Sequence, residues 1–138
     1  MRAFLRWSAA AAVGVGAGVG GLVPPASATE YTAFLSPSKK IECTISRTEA
    51  SCANDKTYRT TPPASSDCGS GSSAVNVWKG GAGLVCIGND FGARRTLGYG
   101  KTIRRGRYSC TSSTAAMTCR NRVTKHGFRL SRDGWRFF

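Results

Sequence analysis

The six cysteines constrain this chain of 138 residues more than any other feature, because two pairs of them repeat one spacing. Eight residues separate Cys43 from Cys52, and eight separate Cys110 from Cys119. Cysteines so spaced face each other in an antiparallel hairpin, where non-hydrogen-bonded partners have Cα atoms about 4.5 to 5.5 Å apart. The two remaining cysteines then form the third pair. The sequence therefore predicts three disulfides, Cys43–Cys52, Cys68–Cys86 and Cys110–Cys119.

The beginning of the chain agrees with the oxidising compartment that an even number of cysteines indicates. Arg2 and Arg6 precede an apolar stretch over residues 7–23, and Ala26-Ser27-Ala28 forms a signal-peptidase site. The stretch is shorter than the about 20 strongly apolar residues that a transmembrane helix needs. We therefore expect a signal peptide over residues 1–28. The mature chain, residues 29–138, is then one secreted domain without a transmembrane segment, either extracellular or associated with the cell envelope.

A metal site is the alternative use of the cysteines. Zinc sites usually combine closely spaced cysteine pairs with histidines. Here neighbouring cysteines lie at least nine positions apart, and the chain has one histidine. The sequence therefore predicts neither a metal ion nor a cofactor.

Short strands account for the rest of the mature chain. Residues 41–45 alternate apolar and polar side chains, which is typical of a half-buried strand, and Val75–Trp78 and Leu84–Ile87 flank a glycine-rich turn. Residues 60–73 have the composition of a surface loop. No sustained helical periodicity occurs, so we expect an all-β fold, a small disulfide-stapled barrel or sandwich of short antiparallel strands. Further strands are expected at Tyr31–Leu35, Thr96–Tyr99, Arg107–Thr111, Met117–Asn121, Phe128–Ser131 and Trp135–Phe138.

The positive charge is concentrated in the last third. Residues 91–138 contain twelve Lys and Arg against one acid, Asp133, whereas residues 29–90 contain six of each sign. Ten of the twelve are Arg, which suits bidentate contacts with phosphate or carboxylate. Residues two apart in a strand share a face, so two arginine pairs at that spacing are expected to do so. The candidate anion-binding residues are Arg104, Arg105, Arg107, Arg120 and Arg122.

These features predict binding to an anionic polymer or envelope surface, with nucleic acid bound only non-specifically. A plain solvated surface is the simpler interpretation of the same charge. A second alternative is a small hydrolase or nuclease that uses His126, the only histidine, paired with Glu42 or Glu49. A third is an inhibitor or interaction module that uses the loop of residues 60–73.

Three patches of the sequence resemble a family of small secreted actinobacterial proteins of unknown function. The first patch comprises Phe34, Ser36-Pro37-Ser38, Ile41 and Cys43. The second comprises Cys86, Gly88 and Asp90. The third comprises Leu97, Tyr99, Gly100, Gly106, Tyr108, Cys110, Met117-Thr118-Cys119-Arg120-Asn121, His126-Gly127-Phe128 and Leu130-Ser131-Arg132.

The chain departs from that family at two places. Lys39-Lys40 stands where the family usually has Gly-Asn, and Lys125 stands where it often has Gly. Both departures make this chain more basic. The resemblance implies secretion, three disulfides and a β-rich domain, and it brings neither an activity nor catalytic residues.

Overall fold

The computed structural model describes residues 30–54, 68, 72–88 and 90–138. These residues form eleven β-strands, and none of their helices is long and apolar enough to cross a membrane. The first five strands are β1 Tyr31–Leu35, β2 Ile41–Ser46, β3 Glu49–Asn54, β4 Ser72–Trp78 and β5 Gly81–Ile87. The others are β6 Arg95–Thr96, β7 Thr102–Arg105, β8 Tyr108–Ser112, β9 Met117–Asn121, β10 Gly127–Ser131 and β11 Gly134–Phe137.

The strands form two sheets that pack face to face. The first sheet has the order β5-β4-β3-β2-β1-β6, and the second has the order β11-β10-β9-β8-β7. Neighbouring strands are antiparallel except β6, which pairs parallel with β1. The expected all-β fold is confirmed, and of the two expected forms the structure has the open sandwich rather than the closed barrel.

Two disulfides lie at the centre of the core, one in each sheet. Cys43 pairs with Cys52 across β2 and β3, and Cys110 pairs with Cys119 across β8 and β9. The Cα atoms in each bridge are 4.1 Å apart, and all four cysteines are fully buried. The sulfur atoms of Cys52 and Cys119 are 3.8 Å apart, so the bridges contact each other between the sheets. The third predicted disulfide, Cys68–Cys86, is also present.

The core around these bridges is apolar and comes from both sheets. Phe34, Ile45 and Val75 from the first sheet meet Tyr108 and Phe128 from the second, and each of these side chains is at most 1% exposed. Because strand residues alternate between faces, the residues next to these in each strand point outward. The core thus determines which side chains lie on the outer face of each sheet.

The glycine-rich segment after β4 is partly strand rather than all turn. The sequence indicates a turn over residues 79–83, but β5 already begins at Gly81. The Trp78 indole explains the difference, because it lies against the backbone here. A Cβ atom on Gly80 or Gly83 would come within 3.0 Å or 3.2 Å of this ring. Because glycine has no side chain, the strand can approach the indole closely, and the indole fills the space that side chains at these positions would occupy.

Other strand boundaries also differ from the expectation. The sequence does not predict β7, and the strand expected at Thr96–Tyr99 is the two-residue β6. Most of the expected loop of residues 60–73 and the whole of the expected signal peptide, residues 1–28, lie outside the described residues. The prediction for each of those segments stays a prediction.

Candidate anion-binding face

The outer face of the second sheet carries four arginines from four of its strands. Inward-facing residues of these strands, such as Cys119 and Phe128, alternate with outward-facing ones. Along one row, Arg104 of β7 and Arg120 of β9 lie on either side of Ser109. In the next row, Arg129 of β10 lies directly opposite Arg136 of β11. We call this surface the arginine face, and it comprises Arg104, Arg120, Arg129 and Arg136.

The electrostatics of the arginine face are unfavourable in the protein alone. Like charges directly opposite each other in an antiparallel pair destabilise a sheet, and Arg129 and Arg136 occupy such positions. Strands β7 to β11 contain no acidic residue that would compensate the charge. Neighbouring strands are about 4.8 Å apart, so a uniformly positive surface extends about 19 Å from β7 to β11. An anionic ligand laid across it would relieve the repulsion between the arginines.

Small side chains and the Phe138 ring occupy the surface between the arginines. Thr102 and Thr111 share a hydrogen bond of 2.7 Å between their hydroxyl oxygens on this face. Gly127 lies opposite Arg120, and the Phe138 ring fills the place that a side chain at 127 would occupy, 2.7 Å from a Cβ atom built there. The guanidinium groups of the arginine face are therefore separated from one another by these smaller groups and the ring.

The acidic residues of the described chain lie elsewhere. Glu42 is on the first sheet, where its carboxylate accepts hydrogen bonds from the backbone N–H of Phe91 and Ala93, at 3.1 and 2.7 Å. Glu49, also on the first sheet, accepts a hydrogen bond of 2.9 Å from the Asn76 amide. The outer faces of the two sheets therefore differ, because two carboxylates lie on the first and four guanidinium groups on the second.

Asp133 is the one acid beyond residue 90, and it lies at the turn between β10 and β11. Its carboxylate is 3.4 Å from the Arg132 guanidinium, and both side chains are more than three-quarters exposed. Exposed pairs of this kind contribute little. Asp133 therefore does not neutralise the arginine face.

Two of the five arginines predicted from the sequence belong to the arginine face, namely Arg104 and Arg120. Arg105 lies on the opposite side of β7 and donates a hydrogen bond of 2.6 Å to the Thr32 hydroxyl of the first sheet. Arg122 follows β9 and donates to the carbonyl of Gly106. Arg107 lies in the turn between β7 and β8. The five therefore do not form a single face.

The turn at Gly106 explains why spacing alone was misleading. Gly106 has a φ of 53°, in the left-handed region, and it reverses the chain between Arg105 and Arg107. Two residues separated by such a turn do not share a strand face. Sequence reasoning missed Arg129 and Arg136, although the alternation of Phe128 and Leu130 with Arg129 was a usable signal.

His126, the catalytic candidate, lies exposed in the turn between β9 and β10. Its backbone carbonyl accepts a hydrogen bond of 2.9 Å from the Asn121 N–H, which closes that turn. The two carboxylates suggested as its partners, Glu42 and Glu49, are bound on the first sheet. Among the described residues, the observed contact of His126 is thus the backbone hydrogen bond of its turn, and both suggested carboxylates bind other groups.

The comparisons with known proteins give a match to a family over part of the chain and no activity. The profile of a family of unknown function (DUF6636) matches residues 84–138. The matched range begins within β5 and includes the whole second sheet with its arginine face. No curated protein and no solved structure matches the chain. A function therefore has to be inferred from the side chains of this protein.

Proposed function

We propose that the protein binds linear polyanions outside the cell, without cleaving them, through the arginine face. The observation that carries this proposal is the cross-strand pair of Arg129 and Arg136 on a sheet that has no acid in its strands. Folding alone would favour an acid or a neutral residue at either position. Binding to a polymer of phosphates, sulfates or carboxylates gives both guanidinium groups a partner.

The spread of the arginines over four strands favours an extended ligand over a small one. The arginines are distributed over about 19 Å rather than gathered around one point. A ligand that contacts all four must therefore present several anionic groups along its length. Non-specific binding of this kind is dominated by counterion release, so it weakens as the salt concentration rises.

The test compares two double variants with the same change in net charge. Arg120→Glu with Arg136→Glu alters the arginine face, and Arg47→Glu with Lys79→Glu alters turns of the first sheet. Fluorescence anisotropy with labelled duplex DNA, used as a probe polyanion, gives affinity across a salt series. Four phosphate contacts predict a slope of about −3.6 for log K against log salt, and two contacts predict about −1.8. Loss of two contacts, at about 1 kcal/mol each, predicts at least about 30-fold weaker binding at low salt.

The stability of the same variants separates binding from folding. Arg136→Glu places a carboxylate opposite Arg129, which should stabilise the sheet by about 0.2 to 1 kcal/mol. The variant of the arginine face should therefore bind worse while unfolding at the same temperature or a higher one. Equal losses of affinity in the two double variants would show that binding follows net charge alone, and the proposal would be withdrawn.

The proposed location outside the cell depends on the sequence of residues 1–28. An arginine-containing start, an apolar stretch and an Ala-Ser-Ala site together support export and cleavage after Ala28. N-terminal sequencing of the exported protein should begin at Thr29. Exported protein that begins at Met1 would contradict this part of the proposal.

A further inference from the structure

A cleft at one end of the sandwich borders the arginine face, and Arg129 contributes to both. It has a volume of about 600 Å³ and opens between the turn after β1, the β8–β9 turn and the β10–β11 turn. This volume is within the range of about 300 to 1,000 Å³ that is typical of small-molecule sites. We call it the serine cleft, after Ser36, Ser38, Ser112, Ser113 and Ser131 in its lining.

The hydroxyl groups of the serine cleft differ in whether they already form hydrogen bonds within the protein. Ser36 Oγ accepts a hydrogen bond of 3.1 Å from the Ile41 N–H. Ser113 Oγ accepts from the Ala116 N–H and donates to the Ala116 carbonyl, at 3.1 and 3.0 Å. Ser112 Oγ is different, because this residue is 1% exposed and its hydroxyl has no hydrogen-bond partner among the described residues. Leaving such a group without a partner costs about 1 to 3 kcal/mol.

Ser112 is therefore the group in the cleft that would gain most from a ligand. Three other buried polar atoms lack partners in the described structure, and all belong to asparagines outside the cleft lining. A ligand oxygen at Ser112 could both accept and donate a hydrogen bond. Ser112 lies at the end of β8, on the side that faces the other sheet, and lines the base of the cleft with its hydroxyl almost fully buried, so a ligand reaches this group only with a small movement of the side chains around it.

The remaining walls of the cleft combine an apolar part with charged groups, namely Arg129 and the ion pair of Arg132 with Asp133. Tyr99 is 48% exposed and offers an aromatic ring at the rim, while Ile41 and Met117 add buried apolar surface. Arg129 brings its guanidinium from the arginine face. A sugar unit has hydroxyl groups around an apolar ring surface, and an acidic sugar adds a carboxylate or phosphate. These groups match the serine hydroxyls, the apolar wall and Arg129 respectively.

We propose that the serine cleft binds one anionic sugar unit of an acidic polysaccharide whose neighbouring units lie on the arginine face. This inference rests on the proposed function of that face and adds the chemical class of the ligand. Single-stranded nucleic acid is the competing ligand. Proteins that bind it without sequence preference use several aromatic rings on which bases stack. The serine cleft has one such ring, Tyr99, whereas six of its fourteen lining residues are serine or threonine, so the polysaccharide fits it better.

The experiment compares two probes of equal charge, an oligogalacturonate of about eight units and a thymidine oligonucleotide, on the full mature chain. The arginine face alone would bind both equally. One or two hydrogen bonds in the cleft should make the wild-type protein prefer the oligogalacturonate about tenfold. Ser112→Ala should abolish this preference and leave the affinity for the oligonucleotide unchanged.

A matched control is a second buried serine on the same strand. Ser109 lies between Arg104 and Arg120 and does not line the cleft, so Ser109→Ala should keep the preference. Because Ser112 Oγ has no partner in the described protein, Ser112→Ala should not lower the midpoint of thermal unfolding. A lower midpoint would mean that this hydroxyl is used within the fold and would overturn the inference.

Two further results would overturn the proposed cleft. One is a wild-type protein that binds both probes equally, and the other is a Ser112→Ala protein that keeps the preference. Neither result affects the arginine face, which is tested by Arg120→Glu with Arg136→Glu. Conversely, equal affinity losses in the two charge-reversed double variants would remove the arginine face while leaving the sugar preference at Ser112 measurable.

Discussion

Two lysines have a backbone conformation that favours glycine. Lys39 has a φ of 62° and Lys125 has a φ of 69°, and they are the two non-glycine residues of the described chain with positive φ. Both stand where the resemblance described above leads us to expect glycine. The Lys39 Nζ donates to the Thr96 hydroxyl, and the Lys125 Nζ donates to the Arg122 carbonyl at 2.7 Å. These positions allow the conformational energy of the backbone to be measured directly.

The expected magnitude comes from two opposing contributions. A residue with a Cβ atom in the left-handed region costs about 1 to 2 kcal/mol. Glycine loses more conformational entropy on folding, which costs about 0.5 to 1 kcal/mol relative to alanine. The glycine variant at Lys39 or Lys125 should therefore be more stable than the alanine variant by about 0.5 to 1 kcal/mol. For a domain of this size the difference corresponds to about 2 to 4 °C in the unfolding temperature.

The comparison of glycine with alanine removes the effect of the lysine side chain. Both variants lose the ammonium group and its hydrogen bond, so their difference reports the backbone alone. Calorimetry at moderate salt gives the unfolding temperatures. Lys101 is the control, because it is an exposed lysine whose φ is not positive and whose backbone N–H donates to the Gly98 carbonyl at 3.1 Å. There the order should reverse, and glycine should be less stable than alanine by about 0.5 to 1 kcal/mol.

The reasoning is refuted if alanine equals or exceeds glycine at both Lys39 and Lys125. It is also refuted if glycine is more stable than alanine by the same amount at Lys101. The preference for glycine would then not depend on the backbone conformation. If the prediction holds, the backbone conformation at each lysine costs more for a residue with a Cβ atom than for glycine, while each lysine adds one positive charge. Such a cost for charge agrees with the proposed binding of polyanions.

Two further predictions concern stability. Gly127→Ala should lower the free energy of unfolding, measured by chemical denaturation, by about 1 to 3 kcal/mol. The reason is that the new Cβ would lie 2.4 Å from the Cys119 carbonyl oxygen and 2.7 Å from the Phe138 ring. Gly88→Ala is the control, because no atom lies within 4 Å of its new Cβ and its stability should stay near that of the wild type. Burial raises the pKa of the Tyr108 phenol above its ordinary value of 10.0. The stabilising contribution of the neutral phenol should therefore be complete below pH 10 and be lost as the pH rises through the higher pKa. Tyr108→Phe should remove this part of the loss of stability at alkaline pH, and an unchanged loss would contradict the prediction.

Local features of the fold were predictable from the sequence because short-range geometry determines them. Eight residues between two bridged cysteines are typical of a hairpin. The position of Thr44 opposite Ser51 then follows from the Cys43–Cys52 bridge. The packing of one bridge on the other could not be predicted, because it depends on the contact between sheets. The strand β7 was also missed, since its sequence Thr-Ile-Arg-Arg has a single strongly apolar residue, Ile103.

The candidate site was only partly predictable for a related reason. The sequence showed where the charge is concentrated but not which side of each strand it occupies. Arg104 and Arg120 lie in one row of the sheet because both pair with Ser109, which is between them. Arg129 lies opposite Arg136 because β10 pairs with β11. Such pairings join residues that are distant in sequence, and a turn such as that at Gly106 reverses the expected face.

The two sheets share one internal plan. Each contains five consecutive antiparallel strands, with a disulfide between the second and third. In the first sheet the bridge lies between Phe34 and Val75, and in the second it lies between Ile103 and Phe128, always at directly opposed positions. The two C-x₈-C hairpins therefore belong to a structural repeat that extends beyond the cysteines.

The outer faces of the two sheets do not follow this shared plan. Glu42 and Glu49 lie outward on the first sheet, while the second carries Arg104, Arg120, Arg129 and Arg136. Packing between the sheets restrains the inward residues, and it sets no sign of charge on the outside. A mixture of both signs on each face would lower the repulsion at no expense to the core. Because folding does not require this separation of charge, the separation supports the proposal that the arginine face binds a ligand of opposite charge.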